Sequence, residues 1–432
     1  MGQGVRRDGG EPSKVVGQMR RRIVFFLRHH NDVDHITPVI HFWSLVEGND
    51  AFVVMLDEDV DLNDPRLAFL VAKKNVRVGT LAQLARSTNQ WLGRPLRENR
   101  RVSEIVDFLA RGSARIAFAF DYGTAPATVP LLAEARKLGI KCVALPHGDD
   151  PYMNYMITTN DLIYDGLTRS RRVGDFDLFV TASRITARRA DEGWHDKHEV
   201  PGSARFADEW LPELEKILPP AVFPGSEGKL KLVFFLRNAK YPIFWEELGR
   251  LLALVLQFPG VYLVLAGHPR QYLDGTRTID IPTPGAEDVS RHPSSSMTYV
   301  AADTYQGTQL IRWADAVLSL GTSVVYEAVL RGKPVFEIEY LHPNRTVVGT
   351  LFRNADIQCR DQIFQWIAKL SNDPAGTAAG FYRAEEMKRF REQCIDLGKP
   401  GTPERYVTLL QRLVDARDMS KAASRAADKS AD

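Results

Sequence analysis

Small and acidic residues that could hold a phosphate lie together in the second half of this 432-residue sequence. Gly321, Thr322 and Ser323 follow the apolar run 316–320, and Glu327 comes about one helical turn later. A turn of small residues that opens a helix presents free backbone N–H groups to an anion. We expect Thr322 or Ser323 to cap the helix and the turn to hold phosphate. We expect the Glu327 carboxylate to accept hydrogen bonds from a ribose.

Cationic and amide side chains follow two other apolar runs of the same half, 232–236 and 261–266. An arginine fork can grip a phosphate, and a histidine can give a proton to a leaving group. Donors placed where negative charge develops lower the barrier to departure of a nucleotide. The candidate donors are Arg237, Asn238, His268, Pro269 and Arg270.

Acid and base candidates lie in the first half, also directly after apolar runs. His147 and Asp149 follow the run 141–145, and either side chain could take a proton from an acceptor hydroxyl. The residues expected to bind an acceptor are Arg28, His29, Asn31, Asp32 and Asp121. We expect the segment 28–35 to be a polar loop. It is rich in histidine and aspartate, but it has no recognised metal-ligand spacing, so we predict no metal.

Apolar runs of strand length alternate with helical segments along most of the chain, a pattern typical of parallel, doubly wound sheets. The sequence Val-Phe-Phe-Leu-Arg occurs at 24–28 and again at 233–237. Each copy would begin a strand–helix–strand unit, as expected for two Rossmann-like domains. Ligands bind outside the carboxyl ends of parallel strands, so the candidate residues of both halves would face one cleft.

The predicted domain boundaries follow from changes in composition, above all the proline- and glycine-rich stretch after residue 210. We predict a disordered lead at 1–20, an N-terminal domain at 21–209, a linker at 210–229, a C-terminal domain at 230–400, a terminal helix at 401–417 and a disordered tail at 418–432. The family resemblance described below implies that the first domain binds the acceptor, that the second binds the nucleotide sugar and that the terminal helix packs back on the first domain.

Composition excludes several classes of protein. The formal net charge is +2, so no bulk field favours nucleic acid. The three cysteines are far apart, which argues against a disulfide framework or a zinc site. No apolar run approaches the roughly 18–20 residues of a membrane span. We expect a cytoplasmic protein, with peripheral association at the inner membrane left open.

The segment 314–336, ADAVLSLGTSVVYEAVLRGKPVF, resembles the nucleotide-binding segment of GT-B-fold glycosyltransferases. It is most similar to the branch that holds polysialyltransferases, capsule Kdo transferases and CDP-glycerol glycerophosphotransferases. His268-Pro269 resembles the His-Pro motif of sialyl- and polysialyltransferases, and His147-Gly148 resembles a His-Gly turn of the capsule branch. The segment 201–206 resembles the one that precedes the interdomain linker.

The resemblance implies an α/β, GT-B architecture and a metal-independent glycosyltransferase without a cofactor. A nucleotide sugar would be the donor and a surface polysaccharide, glycan or glycolipid the acceptor. The His-Pro motif favours a CMP-sugar such as CMP-Kdo or CMP-sialic acid, while a UDP-sugar remains open.

Two departures from the family pattern leave the base unidentified. Polysialyltransferases place it in an acidic pair followed by glycine, but Asp149 and Asp150 precede Pro151, and Asp121 precedes Tyr122. Two alternatives stay open. One is an enzyme similar to UDP-N-acetylhexosamine 2-epimerases, which share the fold, and the other is a non-catalytic sugar-nucleotide-binding scaffold of a polysaccharide assembly complex.

Overall fold

Two parallel sheets with surrounding helices form the protein. The computed structural model describes residues 20–28, 30–56, 62–81, 83, 101–110, 115–121, 128–153, 156–157, 162–163, 176–189, 197–237, 241–267, 297–301 and 304–429. Every pairing within the two large sheets is parallel. The predicted α/β class with two Rossmann-like domains is therefore confirmed.

The first domain holds a seven-stranded sheet in the order β3-β2-β1-β4-β5-β8-β9. Its elements are β1 (Arg21–Leu27), α1 (His30–Leu45), β2 (Asn49–Met55), α2 (Pro65–Val71), β3 (Val76–Thr80), α3 (Arg101–Ala110), β4 (Arg115–Asp121), α4 (Thr128–Lys137), β5 (Lys141–Leu145), the antiparallel pair β6 (Met156–Ile157) and β7 (Leu162–Ile163), β8 (Leu178–Val180), α5 (Arg184–Arg189), β9 (His198–Glu199) and α6 (Leu211–Ile217).

The second domain holds a six-stranded sheet in the order β12-β11-β10-β13-β14-β15. Its elements are β10 (Leu230–Phe235), α7 (Trp245–Val255), β11 (Val261–Ala266), β12 (Met297–Val300), α8 (Gly307–Trp313), β13 (Ala316–Ser319), α9 (Val325–Leu330), β14 (Val335–Ile338), α10 (Val347–Leu351), β15 (Asp356–Ile357), α11 (Arg360–Asn372), α12 (Pro374–Ala379) and α13 (Ala384–Phe390); α14 (Thr402–Lys429) ends the described chain.

Both faces of the first sheet are buried, which explains why its strands are apolar without alternation. In β1, Phe25 and Leu27 belong to one apolar cluster, whereas Val24 and Phe26 belong to the cluster on the opposite face. This period of two follows from strand geometry. The apolar run that predicted a strand thus also predicts two covered faces.

The last helix, α14, returns to the first domain. Tyr406, Leu410 and Val414 lie four residues apart on one face and are buried in the core of the first sheet. Arg21 donates two hydrogen bonds of 3.0 Å to the two carboxylate oxygens of Asp415. The second domain is therefore connected to the first at both of its ends.

Three element boundaries differ from the sequence expectations. Helix α1 begins at His30, so it includes Pro38 and most of the segment expected to be a loop. Helix α6 lies inside the expected linker, because Leu211 and Leu214 are buried beside Trp210. Helix α14 continues to Lys429, through residues expected to be disordered, and these are rich in good helix formers such as alanine.

No helix within the described part of the chain has the length and apolar character needed to cross a membrane.

Candidate functional site

Three charged side chains meet where the central strands of the first sheet end. Arg28 follows β1, Asp121 ends β4 and His147 follows β5, and these strands are neighbours in the sheet. The Arg28 guanidinium holds both oxygens of Asp121, with Nε donating over 3.2 Å to Oδ1 and Nη2 donating to Oδ2. His147 Nδ1 lies 3.3 Å from Asp121 Oδ2. The structure thus brings together three residues that the sequence placed in one cleft.

Asp32 completes this cluster from the first turn of α1. Its carboxylate accepts a 2.7 Å hydrogen bond from the backbone N–H of Arg28, and the residue is fully buried. Burial and the negative charge of Asp121 raise the pKa of Asp32 to about 7. Burial opposes ionisation of Asp121 as well, but hydrogen bonds and charge from His147 and Arg28 lower its pKa below the usual value. A carboxyl group poised near neutral pH beside an ionised one is suited to proton transfer.

The ligand atoms of Asp32, Asp121 and His147 lie within 4.8 Å of one another, a spacing that a metal ion could use. However, the Arg28 guanidinium already holds both oxygens of Asp121. A cation there would displace or face this positive charge. The donor set therefore fits acid–base chemistry better than metal binding, and the predicted absence of a metal stays a prediction.

Asp149 lies apart from this cluster, at the junction between the domains. It is 6% exposed, and its Oδ2 accepts a 2.9 Å hydrogen bond from the hydroxyl of Ser203. His35 Nδ1 is 4.0 Å from the same oxygen. Burial raises the pKa of Asp149 to about 7. Its predicted role as the base stays a prediction, but its contacts are those of a residue in the domain junction. Asn31, predicted to bind an acceptor, is half-buried in the first turn of α1.

The second domain contributes a turn of small residues after β13. Gly321 has a φ of +85°, and its N–H donates to Ser319 Oγ and Glu337 Oε2, each over 3.0 Å. Thr322 and Ser323 are half-buried in this turn. Neither caps the following helix, because α9 begins at Val325 and the cap position belongs to Val324, which has no side-chain acceptor.

Arg237, after β10, is 2% exposed, and none of its guanidinium nitrogens has a hydrogen-bond acceptor among the described residues. Its Cζ instead lies 4.1 Å from the ring centroid of Tyr241 and 5.0 Å from that of Tyr152. Burial lowers the pKa of Arg237 from its usual value. An arginine fork at the edge of the sheet, without a hydrogen-bond acceptor in the described part of the chain, is suited to holding an anion.

Glu327 makes a different set of contacts from those expected. One carboxylate oxygen accepts from Arg205 over 2.9 Å and from Thr308 over 2.7 Å, and the other accepts from Arg331 over 2.9 Å. The residue is fully buried. Its predicted ribose contact stays a prediction, and in this structure the carboxylate joins the two domains through Arg205.

Five predicted site residues lie outside the described part of the chain: His29, Asn238, His268, Pro269 and Arg270.

A short strap from the first domain covers the turn at Gly321. The Tyr152 hydroxyl donates a 2.7 Å hydrogen bond to the Gly321 carbonyl. Tyr152 also forms an antiparallel bridge with Thr346, and Met153 N–H donates to the Arg345 carbonyl over 2.9 Å. The carboxyl edges of the two sheets therefore meet at this strap. Tyr152 is not among the residues expected from the sequence, because composition gives no signal for it.

Comparison with known proteins supports this architecture. No protein-family model matches the sequence, and no curated protein is significantly similar to it. Solved structures do match over nearly the whole chain. UDP-GlcNAc 2-epimerase from Neisseria meningitidis bound to UDP-GlcNAc has a TM-score of 0.53 at 13% identity, covering 91% of this chain and 100% of that chain.

Two other structures match at a similar level. S. aureus MnaA in a co-structure with UDP has a TM-score of 0.53 at 13% identity, covering 90% of this chain and 95% of that one. TcCGT1 in complex with UDP has a TM-score of 0.53 at 10% identity, covering 92% of this chain and 100% of that one. The chain has a GT-B-like fold. At these identities the likeness concerns the GT-B-like architecture alone, and the specific transferase branch named above is not among the three.

Proposed function

We propose that the protein is a nucleotide-sugar enzyme that binds UDP in its second domain and epimerises an N-acetylhexosamine at C2. One observation carries this proposal. The acid–base cluster of Asp32, Asp121 and His147 lies at the carboxyl edge of the first sheet. The Arg237 guanidinium, which has no hydrogen-bond acceptor among the described residues, lies at the carboxyl edge of the second sheet. The strap at Tyr152 connects the two edges. Among the similar structures, one epimerase holds UDP-GlcNAc and two proteins hold UDP, which supports the choice of UDP.

The reaction needs both parts of this site. A proton on C2 of the sugar is weakly acidic, but it can leave while UDP departs from C1. The C–H electron pair then forms the C1–C2 double bond, and the C1–O pair leaves on the diphosphate. Re-addition of the diphosphate to C1 and of a proton to the opposite face of C2 gives the 2-epimer. Groups that transfer a proton and groups that stabilise the departing anion are both required.

Each of the following site residues has one task in the proposed reaction. Asp32 takes the proton from one face of C2, because its pKa of about 7 leaves part of it ionised at neutral pH, and a proton from solvent is added to the opposite face. Asp121 stays ionised and positions His147 and Arg28. Arg237 and the turn at Gly321 hold the diphosphate. The proposal requires no metal and no cofactor.

Glycosyl transfer is the second candidate, since the segment 314–336 resembles transferases and TcCGT1 shares the architecture. The same cluster would take a proton from an acceptor hydroxyl, and Arg237 would hold the departing nucleotide. The acceptor would be a glycan or a glycolipid. With a glycolipid acceptor we expect peripheral association with the inner membrane, and otherwise a cytoplasmic location. A CMP-sugar donor belongs to this candidate, although the similar structures favour UDP.

Incubation with UDP-GlcNAc in D2O, followed by proton NMR, tests the proposal. An epimerase gives the 2-epimer and replaces the proton at C2 by deuterium. A transferase leaves C2 unlabelled and releases nucleotide only when an acceptor is added. Neither product with UDP-GlcNAc, together with thermal stabilisation by CMP but not by UDP, would overturn the proposal in favour of a cytidine donor.

The matched variants are Arg237→Gln and Arg250→Gln. Arg237 lies in the proposed site, whereas Arg250 is an exposed residue of α7 paired with Glu246 and Glu247. Only Arg237→Gln should weaken UDP binding and turnover. Equal effects of the two variants would remove Arg237 from the site.

A further inference from the structure

We propose that His342 is a further ligand-binding residue of the nucleotide site, donating a ring N–H to a diphosphate oxygen that Arg237 also holds. The inference rests on the proposed function, because that function supplies the diphosphate. His342 lies in the segment 340–346, which follows an apolar run in the sequence and is expected to close over the nucleotide or sugar.

Three neighbouring strands place His342 beside the predicted phosphate contacts. Arg237 follows β10, Gly321 follows β13, and His342 follows β14 after one 3-10 turn (Glu339–Leu341). The strand order β10-β13-β14 brings these three positions to one edge of the second sheet. The Tyr152 ring touches all three, since its centroid lies 5.0 Å from Arg237 Cζ and 6.5 Å from the centroid of the His342 ring.

His342 is buried and its ring nitrogens lack hydrogen-bond partners in the described part of the chain, as expected of a residue that binds a ligand. It is 4% exposed, and neither ring nitrogen has a hydrogen-bond partner of good geometry among the described residues. A buried imidazole without a partner loses its hydration and gains nothing in return. Arg237, at 2% exposed, is in the same condition. His342 and Arg237 are neighbouring hydrogen-bond donors without acceptors in the part of the chain that the structure describes, and they are suited to binding one shared acceptor.

The charges around His342 also favour an anion. Glu337 is an acidic side chain whose charge would act on Arg237, but burial and the neighbouring Glu339 raise the pKa of Glu337 to about 8. It is therefore neutral at neutral pH and leaves the Arg237 charge uncompensated. Burial and that same charge lower the pKa of His342 to about 3, with a smaller opposing effect from the backbone of Asn344.

A bound anion would reverse the field that His342 experiences. A diphosphate beside Arg237 cancels the positive charge that holds the imidazole neutral, and its oxygens accept from the ring. The groups that act on His342 are Arg237, which follows β10, and the backbone of Asn344, with the Tyr152 ring from the strap beside it; Glu337 and Glu339 precede it on its own strand and turn. Binding of diphosphate is therefore expected to raise the affinity of His342 for a proton.

Isothermal titration calorimetry with UDP, uridine and inorganic diphosphate tests the inference. At pH 6.5, in two buffers of different ionisation enthalpy, the native protein should bind UDP and diphosphate with net proton uptake. His342→Asn should weaken both about tenfold or more, which is the loss expected for one hydrogen bond to a charged group. It should also reduce the proton uptake and leave uridine binding unchanged.

Two further variants keep the result interpretable. His342→Gln has a longer amide side chain than His342→Asn and provides a second test if the first variant does not fold. His198→Asn changes a histidine on β9, at the far edge of the first sheet, where it contacts Thr181. This control should bind all three ligands like the native protein.

The outcomes separate this inference from the proposed function. If native protein and both His342 variants bind UDP with equal affinity and equal proton uptake, the inference is overturned while the proposed function survives. If the native protein binds diphosphate but not UDP, and His342→Asn weakens that binding, the inference holds and the proposed function fails. If the native protein binds neither anion, both are overturned.

Discussion

Arg205 and Glu327 form a buried ion pair between the two domains, with Arg205 Nη2 2.9 Å from Glu327 Oε2. On the side of the first domain, Arg205 Nε lies 2.8 Å from Asp34 Oδ1, which also holds Arg66. On the other side, Glu327 accepts from Arg331. Although burial opposes ionisation, Arg205 and Arg66 hold the pKa of Asp34 well below its usual value. Positive and negative side chains therefore alternate across the domain junction, in the order Arg66, Asp34, Arg205, Glu327 and Arg331.

Removing one member of this pair should destabilise the protein strongly. Glu327→Gln or Arg205→Met leaves a buried charge with one ion-pair partner fewer, at an expected cost of up to about 3–5 kcal/mol, the loss for a fully broken buried pair. Urea unfolding of each variant measures this loss. Arg250→Met, which removes an exposed pair on α7, should change stability by about 0.5 kcal/mol or less. A loss below about 1 kcal/mol in both junction variants would show that this pair does not hold the domains together.

Gly321→Ala should destabilise the protein for two reasons: the backbone conformation of this residue disfavours a side chain, and no space is available for a Cβ atom. The residue has a φ of +85°, and an added Cβ would lie 2.3 Å from Tyr152 Cε1. We expect a loss of about 1 kcal/mol or more from the backbone conformation alone, together with displacement of Tyr152 from the turn and weaker UDP binding.

Gly260→Ala is the matched control, because no atom lies within 4 Å of its added Cβ and its φ lies outside the left-handed region. Adding Tyr152→Ala to Gly321→Ala should recover the part of the loss that comes from the clash. Thermal unfolding measures the loss of stability and UDP titration measures the loss of binding. Both are carried out on the native protein, Gly321→Ala, Gly260→Ala and the double variant. Equal stability of Gly321→Ala and Gly260→Ala would contradict the close contact with Tyr152.

The architecture was predictable because local patterns determine it. Apolar runs of strand length such as β1 and β10, each followed by polar residues, place those residues at one edge of a parallel sheet. That rule brought Arg28, Asp121 and His147 together correctly.

Side-chain partners could not be predicted in the same way, because they depend on packing between segments far apart in sequence. Glu327 is spaced from Ser323 as expected, yet its carboxylate is engaged by Arg205 from the other domain. Tyr152 and His342 reach the site through the packing of a strap and a turn. One missed signal was available: Glu337 is an acidic residue within an otherwise apolar strand, which often marks a functional position.

The pH dependence of turnover should report the ionisation of Asp32. A base must be deprotonated, so kcat/KM should rise with pH through a midpoint near 7. Asp32→Asn should lower kcat/KM by about a hundredfold or more. Asp121→Asn should move the midpoint to lower pH, because the charge of Asp121 is one cause of the raised pKa of Asp32. An unchanged midpoint in Asp121→Asn would assign the profile to another group.

Glu337 should make the folded protein less stable as the pH rises above neutrality. Its pKa is about 8 when folded, against a usual value of 4.5, so the folded state binds a proton that the unfolded state has released. Stability from this group is full below pH 4.5 and is lost as the pH rises towards 8, by on the order of 1 kcal/mol per pH unit.

The buried histidines His35 and His342, each with a pKa lowered to about 3, act in the opposite direction, but only below pH 6.5. Asp32 and Asp149, each with a pKa raised to about 7, act in the same direction as Glu337 but are present in both proteins. The effect of Glu337 is therefore isolated by comparing the variant with the native protein between pH 6.5 and 8. Glu337→Gln keeps an oxygen for the Gly321 N–H without the ionisable proton. Urea unfolding at several pH values should show a smaller loss of stability for the variant than for the native protein across this range. Parallel pH profiles of the two proteins would mean that Glu337 is ionised when folded and compensates Arg237 itself.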